Sequence, residues 1–457
     1  MNADAATATA GGTPLDGGAM RACLSDIFMA GLAAVRGDTL VEARSSFADG
    51  VWRYRSERES VDWELPEQGR VIVIGAGKAA ASLALGLERT LGDRIDDGYL
   101  VVKYGHGEPL RRIRVAEAGH PVPDEAGLAA TRELMRLASD LGPDDRVFMV
   151  LTGGASALLV SPVAGVTLDE KALVTDLMLR SGAAIDEMNE VRKALSRVKG
   201  GGLLDAIGAA PVTTLVISDV PGGRSGTIGS APTVRDRASR QHVRAILAKY
   251  DLLDRLAPSI RRHLETPADE MDPSVDSPVA GNDRFIVLAD SGTALDAAKL
   301  AAEQAGFATK VVDPDLAGGT HVAATAFAVE IRRARAERNA GGPPRILLAA
   351  GETTLRVTGD GLGGRNQEFA LVVAREIAGV PDVAMLAGGT DGTDGPTDAA
   401  GAFADGESWL RAREVGLDPA LMLRRNDSHR LFSALGDLYV TGATGTNVMD
   451  LVIAVVP

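Results

Sequence analysis

The chain has 457 residues, 45% of them hydrophobic, a formal net charge of −14 and one cysteine, Cys23. That length implies two to three domains. The acidic balance opposes a general nucleic-acid binder, since a phosphate backbone needs a basic footprint, and a single cysteine excludes an internal disulfide framework or a cysteine metal cluster.

Residues 1–18 carry no Lys or Arg and no apolar block, so they read as a flexible tail rather than a signal peptide or anchor. A cytoplasmic location is then the default. No apolar run approaches the ~20 residues that span a membrane. A helical pattern begins near Met20, with Leu24, Ile27, Phe28 and Leu32 at helical spacing, and Cys23 beside them reads as a core residue. Continuous apolar strands at 71–75, 99–102, 147–151 and 214–218 then alternate with helical segments such as 124–141 and 168–183. Continuous apolarity is what a parallel sheet covered on both faces requires, so the class is α/β. Residues 265–284 hold three prolines and several acids without periodicity and read as a linker. A second series comes after it, with strands at 285–289, 309–312 and 345–350 and helices at 293–305 and 319–338. Residues 353–361 read as a strand that turns, and 383–389 and 451–456 as further strands. The division expected is an N-terminal domain over 19–275 and a C-terminal α/β domain over 276–457.

The informative pattern lies in the loops at the carboxyl ends of the strands. The first strand runs into Gly75-Ala76-Gly77-Lys78, the third into Thr152-Gly153-Gly154-Ala155-Ser156, and the fourth into Ser218-Asp219-Val220-Pro221-Gly222-Gly223. In the second half, one strand runs into Gly351-Glu352-Thr353 and another into the Asp-rich stretch 388–401. Ligands of open α/β sheets bind beyond the carboxyl ends of strands, where glycine admits a close backbone approach and helix N-termini favour anions. The 75–80 stretch also fits a dinucleotide turn. The acid that should hold a ribose is absent, because the next strand ends in Lys103, although Lys103 suits a 2′-phosphate. A Walker A loop is not present, since Ala79 comes directly after Lys78.

Two further segments bear cations. Arg192 and Lys199 are seven residues apart, which on a helix puts them on one face, either basic surface or an anion-facing site. Arg365 lies in a Gly-rich loop before an apolar helix, where a guanidinium grips a carboxylate or phosphate through two parallel hydrogen bonds. The six histidines show no zinc-binding spacing. Asp391, Asp394 and Asp398 are hard oxygen ligands suited to Mg²⁺, or ordinary Asp-Gly turn chemistry.

With these motifs in order, namely 75–80, 119–125, 152–159, 189–203, 218–223, 363–368, 389–401, 426–429 and 442–451, the chain resembles the glycerate 2-kinases whose C-terminal part is the MOFRL domain. The resemblance covers nearly the whole chain after the tail, with the MOFRL-like part from about residue 345. It implies transfer of the γ-phosphoryl of ATP, with Mg²⁺, to the 2-hydroxyl of D-glycerate or a close 2-hydroxy acid. It implies a Rossmann-like parallel-sheet domain plus a smaller mixed-sheet α/β domain, with an active-site cleft between them. Lys78, Asp219 and Arg365 match the catalytic positions. Gly75, Gly77, Gly153, Gly154, Ser156 and Asn189 are expected to bind substrate or nucleotide, as are Arg192, Lys199, Glu352, Asn366, Thr390 and Asp391. Asp219, Asp391 and Asp394 are the candidate metal ligands. The chain departs from the family pattern at Ala155, at Ala194 (usually His) and at Gly223 (usually Asp). Neither nucleic acid nor membrane is an expected partner, and a homodimer is left open. Two other readings remain: an NADP-dependent hydroxypyruvate reductase, and a non-catalytic sensor of sugar acids or nucleotides.

Overall fold

The computed structural model describes residues 15–57, 59–220, 226–236, 238–266 and 283–457. Most of the expected linker and tail, and the Gly222-Gly223 end of the 218–223 motif, lie outside the described residues. Contacts divide the chain into two units, Leu40–Leu288 and Met1–Thr39 with Ala289–Pro457.

The first unit opens with a small antiparallel sheet, β1 (Ser45–Ala48), β2 (Val51–Arg55) and β3 (Ser60–Glu64). Its main sheet comprises β4 (Val71–Ala76), β5 (Asp97–Lys103), β6 (Arg114–Ala118), β7 (Arg146–Thr152), β8 (Val212–Ile217) and β9 (Arg284–Ala289). The order is β6-β5-β4-β7-β8-β9, and the pairs from β6 through β8 are parallel. Every residue of β4 and β8 is buried, which is why these strands read as unbroken apolar runs. The small sheet packs on the main one through Trp52 and Trp63, whose rings meet Phe148 of β7 edge-on at 5.1 and 4.8 Å.

The second unit carries a mixed sheet of β10 (Ala308–Leu316), β11 (Arg345–Gly351), β12 (Ala384–Gly389), β13 (Gly401–Asp405), β14 (Leu438–Tyr439) and β15 (Asp450–Val456). The order is β10-β11-β15-β12-β13-β14. β11 and β12 both run antiparallel to β15, so their carboxyl ends and the start of β15 share one edge. On one face lies the helix Arg365–Glu376, buried from Asn366 to Ala374. On the other lies the helix Gly17–Val35, packing Leu24, Ile27, Phe28 and Leu32 with Ile346, Leu386 and Ile453.

Several expectations change. The helix Gly17–Val35 starts inside the expected tail, with Asp16 capping the Ala19 N–H at 2.8 Å, and it belongs to the unit of the mixed sheet. An apolar stripe says that a helix is covered but not by which sheet. With 19 residues and mean hydropathy 1.4, this helix is long and apolar enough to cross a membrane, contrary to the expectation that no run is. In the fold its stripe is core, and its Arg21 pairs with buried Asp437 at 2.6 Å. Strand 285–289 is β9, at the edge of the first sheet rather than in the second series. Residues 353–361 form no strand beyond a single bridge between Thr354 and Gly319. Cys23 is buried as expected, and burial pushes its thiol up to about 11.

Candidate active site

In the parallel-sheet unit, the loops after β4, β7 and β8 leave the same edge, because those strands are parallel. The β4 and β7 loops are bonded to each other. The Lys78 N–H donates to the Gly153 carbonyl at 2.9 Å, and the Ala79 N–H to Thr152 Oγ1 at 3.0 Å. Gly77 has φ +131, and a Cβ there would lie 2.1 Å from Thr152 Oγ1, so only glycine lets the two loops meet. Gly154 has φ +88, and its missing Cβ leaves room against His120 and the Lys78 side chain. Gly75 has a different task, since its Cβ would strike the Val150 carbonyl 2.1 Å away inside the sheet. Lys78 is partly exposed just before the helix Ala80–Leu91, and its carbonyl meets His106 Nδ1 at 3.0 Å. Asp219 stands two residues past β8 and is partly exposed.

Arg192 and Lys199 are not on one helix. The helix Ile185–Ala194, which holds Asn189 and Arg192, stops five residues short of Lys199, and the chain turns there. At Ala194 the backbone carbonyl meets His263 Nε2 at 3.3 Å. Buried Lys199 reaches back to the β7 loop, donating to the Ser156 carbonyl at 2.5 Å and to Ser156 Oγ at 3.1 Å. Ser156 Oγ in turn meets Ser230 Oγ at 2.7 Å. Burial, then Lys171 and Arg192, hold the Lys199 ammonium well below the ordinary lysine range. Lys171 belongs to none of the sequence motifs. It lies on the helix Leu168–Arg180 in line with buried Val174, Leu177 and Met178, so a cation at an apolar-stripe position was the available signal.

In the mixed-sheet unit, Asp450 sits in register with Gly351 on one side and Gly389 on the other. Arg365 is the first residue of its helix rather than a loop residue, and it grips Asp450 through Nε at 2.6 Å and Nη2 at 2.9 Å. Its Nη1 meets Glu352 at 2.7 Å, and Asn366 Nδ2 adds a bond to Asp450 at 2.9 Å. Burial opposes the charge of Arg365, but the Asp450 carboxylate more than offsets it, so the pKa is held above the ordinary value. The guanidinium expected to grip a carboxylate or phosphate is thus already bound to two carboxylates of the chain itself. Asp450 closes a motif that the sequence shows, yet no pattern singles it out.

The acids expected to hold metal have other partners. Asp394 is buried and accepts the backbone N–H groups of Asn366 and Gln367 at 3.0 and 2.8 Å, so it caps the start of that helix. Burial raises its pKa to about 6. Asp391 accepts from the N–H and hydroxyl of Thr393 at 2.9 and 3.0 Å. Thr390 donates to the Met449 carbonyl at 2.6 Å, tying its loop to the approach of β15. Asp398 faces His429 at 3.2 Å. Among the described residues, no three His, Cys, Asp or Glu side chains are placed to hold a metal ion.

Residues 23–265 match the family described as a domain of unknown function (DUF4147), and residues 345–450 match the MOFRL family. The chain is 38% identical over 396 residues to a glycerate 2-kinase of Pyrococcus horikoshii, covering 86% of this chain and 89% of that one. It is 41% identical over 394 residues to an Agrobacterium vitis protein with the provisional name hydroxypyruvate reductase, covering 85% and 88%. The crystal structure of a glycerate kinase from Thermotoga maritima is similar with a TM-score of 0.80 and 34% identity, covering 96% of this chain and all of that one.

Proposed function

The chain belongs to the glycerate 2-kinase family, and on that premise we propose that it transfers the γ-phosphoryl group of ATP to the 2-hydroxyl of D-glycerate or a close 2-hydroxy acid. The observation that supports this reading best is the pair of interlocked loops at Lys78 and Gly153. They set an ammonium beside two glycines in left-handed backbone at a helix start, an arrangement suited to phosphate. Phosphoryl transfer is mostly positioning and charge neutralisation. In this reading Lys78 neutralises the transferring group, and the substrate oxygen forms its bond to phosphorus as the bond to ADP breaks. Asp219 either receives the hydroxyl proton or holds Mg²⁺ beside it. Arg365, fixed in orientation by Asp450, offers its remaining N–H groups to an anionic group of the reactants.

Mg²⁺ belongs to the proposal as a companion of the nucleotide. Asp391 and Asp394 are engaged in turn and cap bonds, whereas Asp219 stands just past β8, at the sheet edge where the Lys78 and Gly153 loops lie, and would be the carboxylate to hold it. One protein carboxylate is enough where phosphates and waters complete the shell. The ion would neutralise charge on the phosphate oxygens.

The reductase reading has less support, because β5 ends on Lys103 rather than on a carboxylate for a ribose hydroxyl. One pair of assays decides. The protein is incubated with Mg-ATP and D-glycerate while 2- and 3-phosphoglycerate are resolved, and in parallel NADPH loss is monitored with hydroxypyruvate. We expect 2-phosphoglycerate. No phosphoglycerate together with steady NADPH oxidation would overturn the kinase reading.

A further inference from the structure

The kinase reading gives Lys171 no task. Lys171 is 7% exposed, and its Nζ has no hydrogen-bond partner among the described residues. Its helix would pack as well with Leu or Met there, since the neighbouring stripe positions are Val174, Leu177 and Met178. An ammonium buried without a counter-charge is costly and is ordinarily removed from a core. Here the cost is compounded, because Arg192 and Lys199 are near enough to act on it or be acted on by it. The Arg192 guanidinium is partly exposed and has no ion pair among the described residues. That is not a general habit of this segment, because the adjacent Lys193 is paired with Asp236 at 2.6 Å. Burial and the Arg192 charge bring the Lys171 ammonium down to about 7.

Three separate segments therefore send positive side chains inward: one helix with Lys171, a second with Arg192, and the turn beyond it with Lys199. Lys199 links the group to Ser156, two residues beyond Gly154 in the β7 loop. The partly exposed Arg192 keeps the cluster from being sealed. We propose that Lys171, Arg192 and Lys199 form an oxyanion subsite, with Lys171 as its innermost donor, that receives either the carboxylate of the hydroxy acid or a phosphate of the nucleotide. It rests on the kinase reading only for the source of the oxyanion.

The test is Lys171→Met, which keeps the length of the side chain and removes its charge. Melting temperature is measured without ligand and with D-glycerate, ATP and inorganic phosphate in turn, and KM is measured for each reactant. Without ligand, the variant should melt no lower than the parent. The thermal shift produced by the occupying oxyanion should shrink, and the KM of that reactant should rise at least about tenfold, while the other KM stays within about twofold. A glycerate-selective loss assigns the carboxylate, and an ATP-selective loss assigns a phosphate. Unchanged shifts and KM values would overturn the subsite. So would a lower melting temperature with unchanged KM values, since that marks a structural lysine. If the parent forms no phosphoglycerate, the kinase reading fails, yet the thermal shift with inorganic phosphate still decides the subsite. Arg192→Met carries the same readouts from a partly exposed position should K171M fail to fold.

Discussion

In the cluster that Lys199 ties to the edge of the parallel sheet, Lys171 and Arg192 have no carboxylate partner among the described residues, whereas at the edge of the mixed sheet Arg365 is bonded to two. The first arrangement holds unsatisfied positive charge, which an incoming anion relieves. The second is satisfied beforehand, and three of the five guanidinium donors are already used. Unpaired cations supply attraction, and a paired one supplies orientation. A rigid donor loses little freedom when a ligand arrives, which is the value of preorganisation. The same difference separates what each substitution should do to activity and to folding.

Arg365→Ala should have the largest effect, because it removes a donor and leaves Asp450, whose side chain is 2% exposed, without its main counter-charge. Turnover should fall about 100-fold, and unfolding in urea should show a loss of ~3 kcal/mol. Loss of activity with full stability would mean that the pair is not structural, and the contrast between the two edges would disappear. Lys78→Ala should also lower turnover by about 100-fold or more. Its melting temperature should stay near that of the parent, since the backbone bonds at Lys78 and Ala79 that tie the two loops are kept in the variant. A near-normal rate would remove Lys78 from the chemistry.

These physical differences also govern how much of the molecule is legible in its sequence. Buried parallel strands such as β4 and β8 announce themselves by unbroken apolarity, and the glycines at 77 and 154 by their place after such strands. The antiparallel strand β15 is equally apolar, yet its direction and its place between β11 and β12 depend on long-range pairing that no local pattern encodes. For that reason the sequence marks the 442–451 motif but not the role of Asp450 within it. Asp394 resembled a metal ligand because a carboxylate that caps a distant helix has no sequence signature distinct from one that binds Mg²⁺. Lys171 was legible in principle, as a charged residue on the apolar stripe of its helix, but a single lysine in a helix is ordinarily solvated. The 353–361 stretch failed as a strand because its Gly359 and Gly361 pack against the backbone at Arg425, where a side chain could not fit.

Asp394 allows a test through pH. In the unfolded chain its proton leaves near the ordinary aspartate value of about 4, while in the fold burial delays this to about 6. Between those values the folded state binds more protons, so the contribution of Asp394 to stability falls as pH rises through about 6 and levels off about a unit above it. The parent should therefore lose on the order of 2 kcal/mol relative to Asp394→Asn between pH 4 and 6. Parallel stability curves for the two proteins across that range would show that burial does not hold the proton on Asp394, and the mixed-sheet edge would then carry that negative charge as well.

The smallest effect is expected at Glu352. Its side chain is 46% exposed, and its bond to Arg365 at 2.7 Å is the outer of the two that hold the guanidinium. Solvent screens such a pair, so Glu352→Gln should change stability by less than about 1 kcal/mol. Asp450 alone still fixes the plane of Arg365 through Nε and Nη2. KM and kcat should then move by no more than about threefold, a change worth under ~1 kcal/mol. A larger rise in KM for ATP or for glycerate would show that Glu352 meets that reactant directly. The edge of the mixed sheet would then bind as well as orient, and the distinction between the two edges would be one of degree.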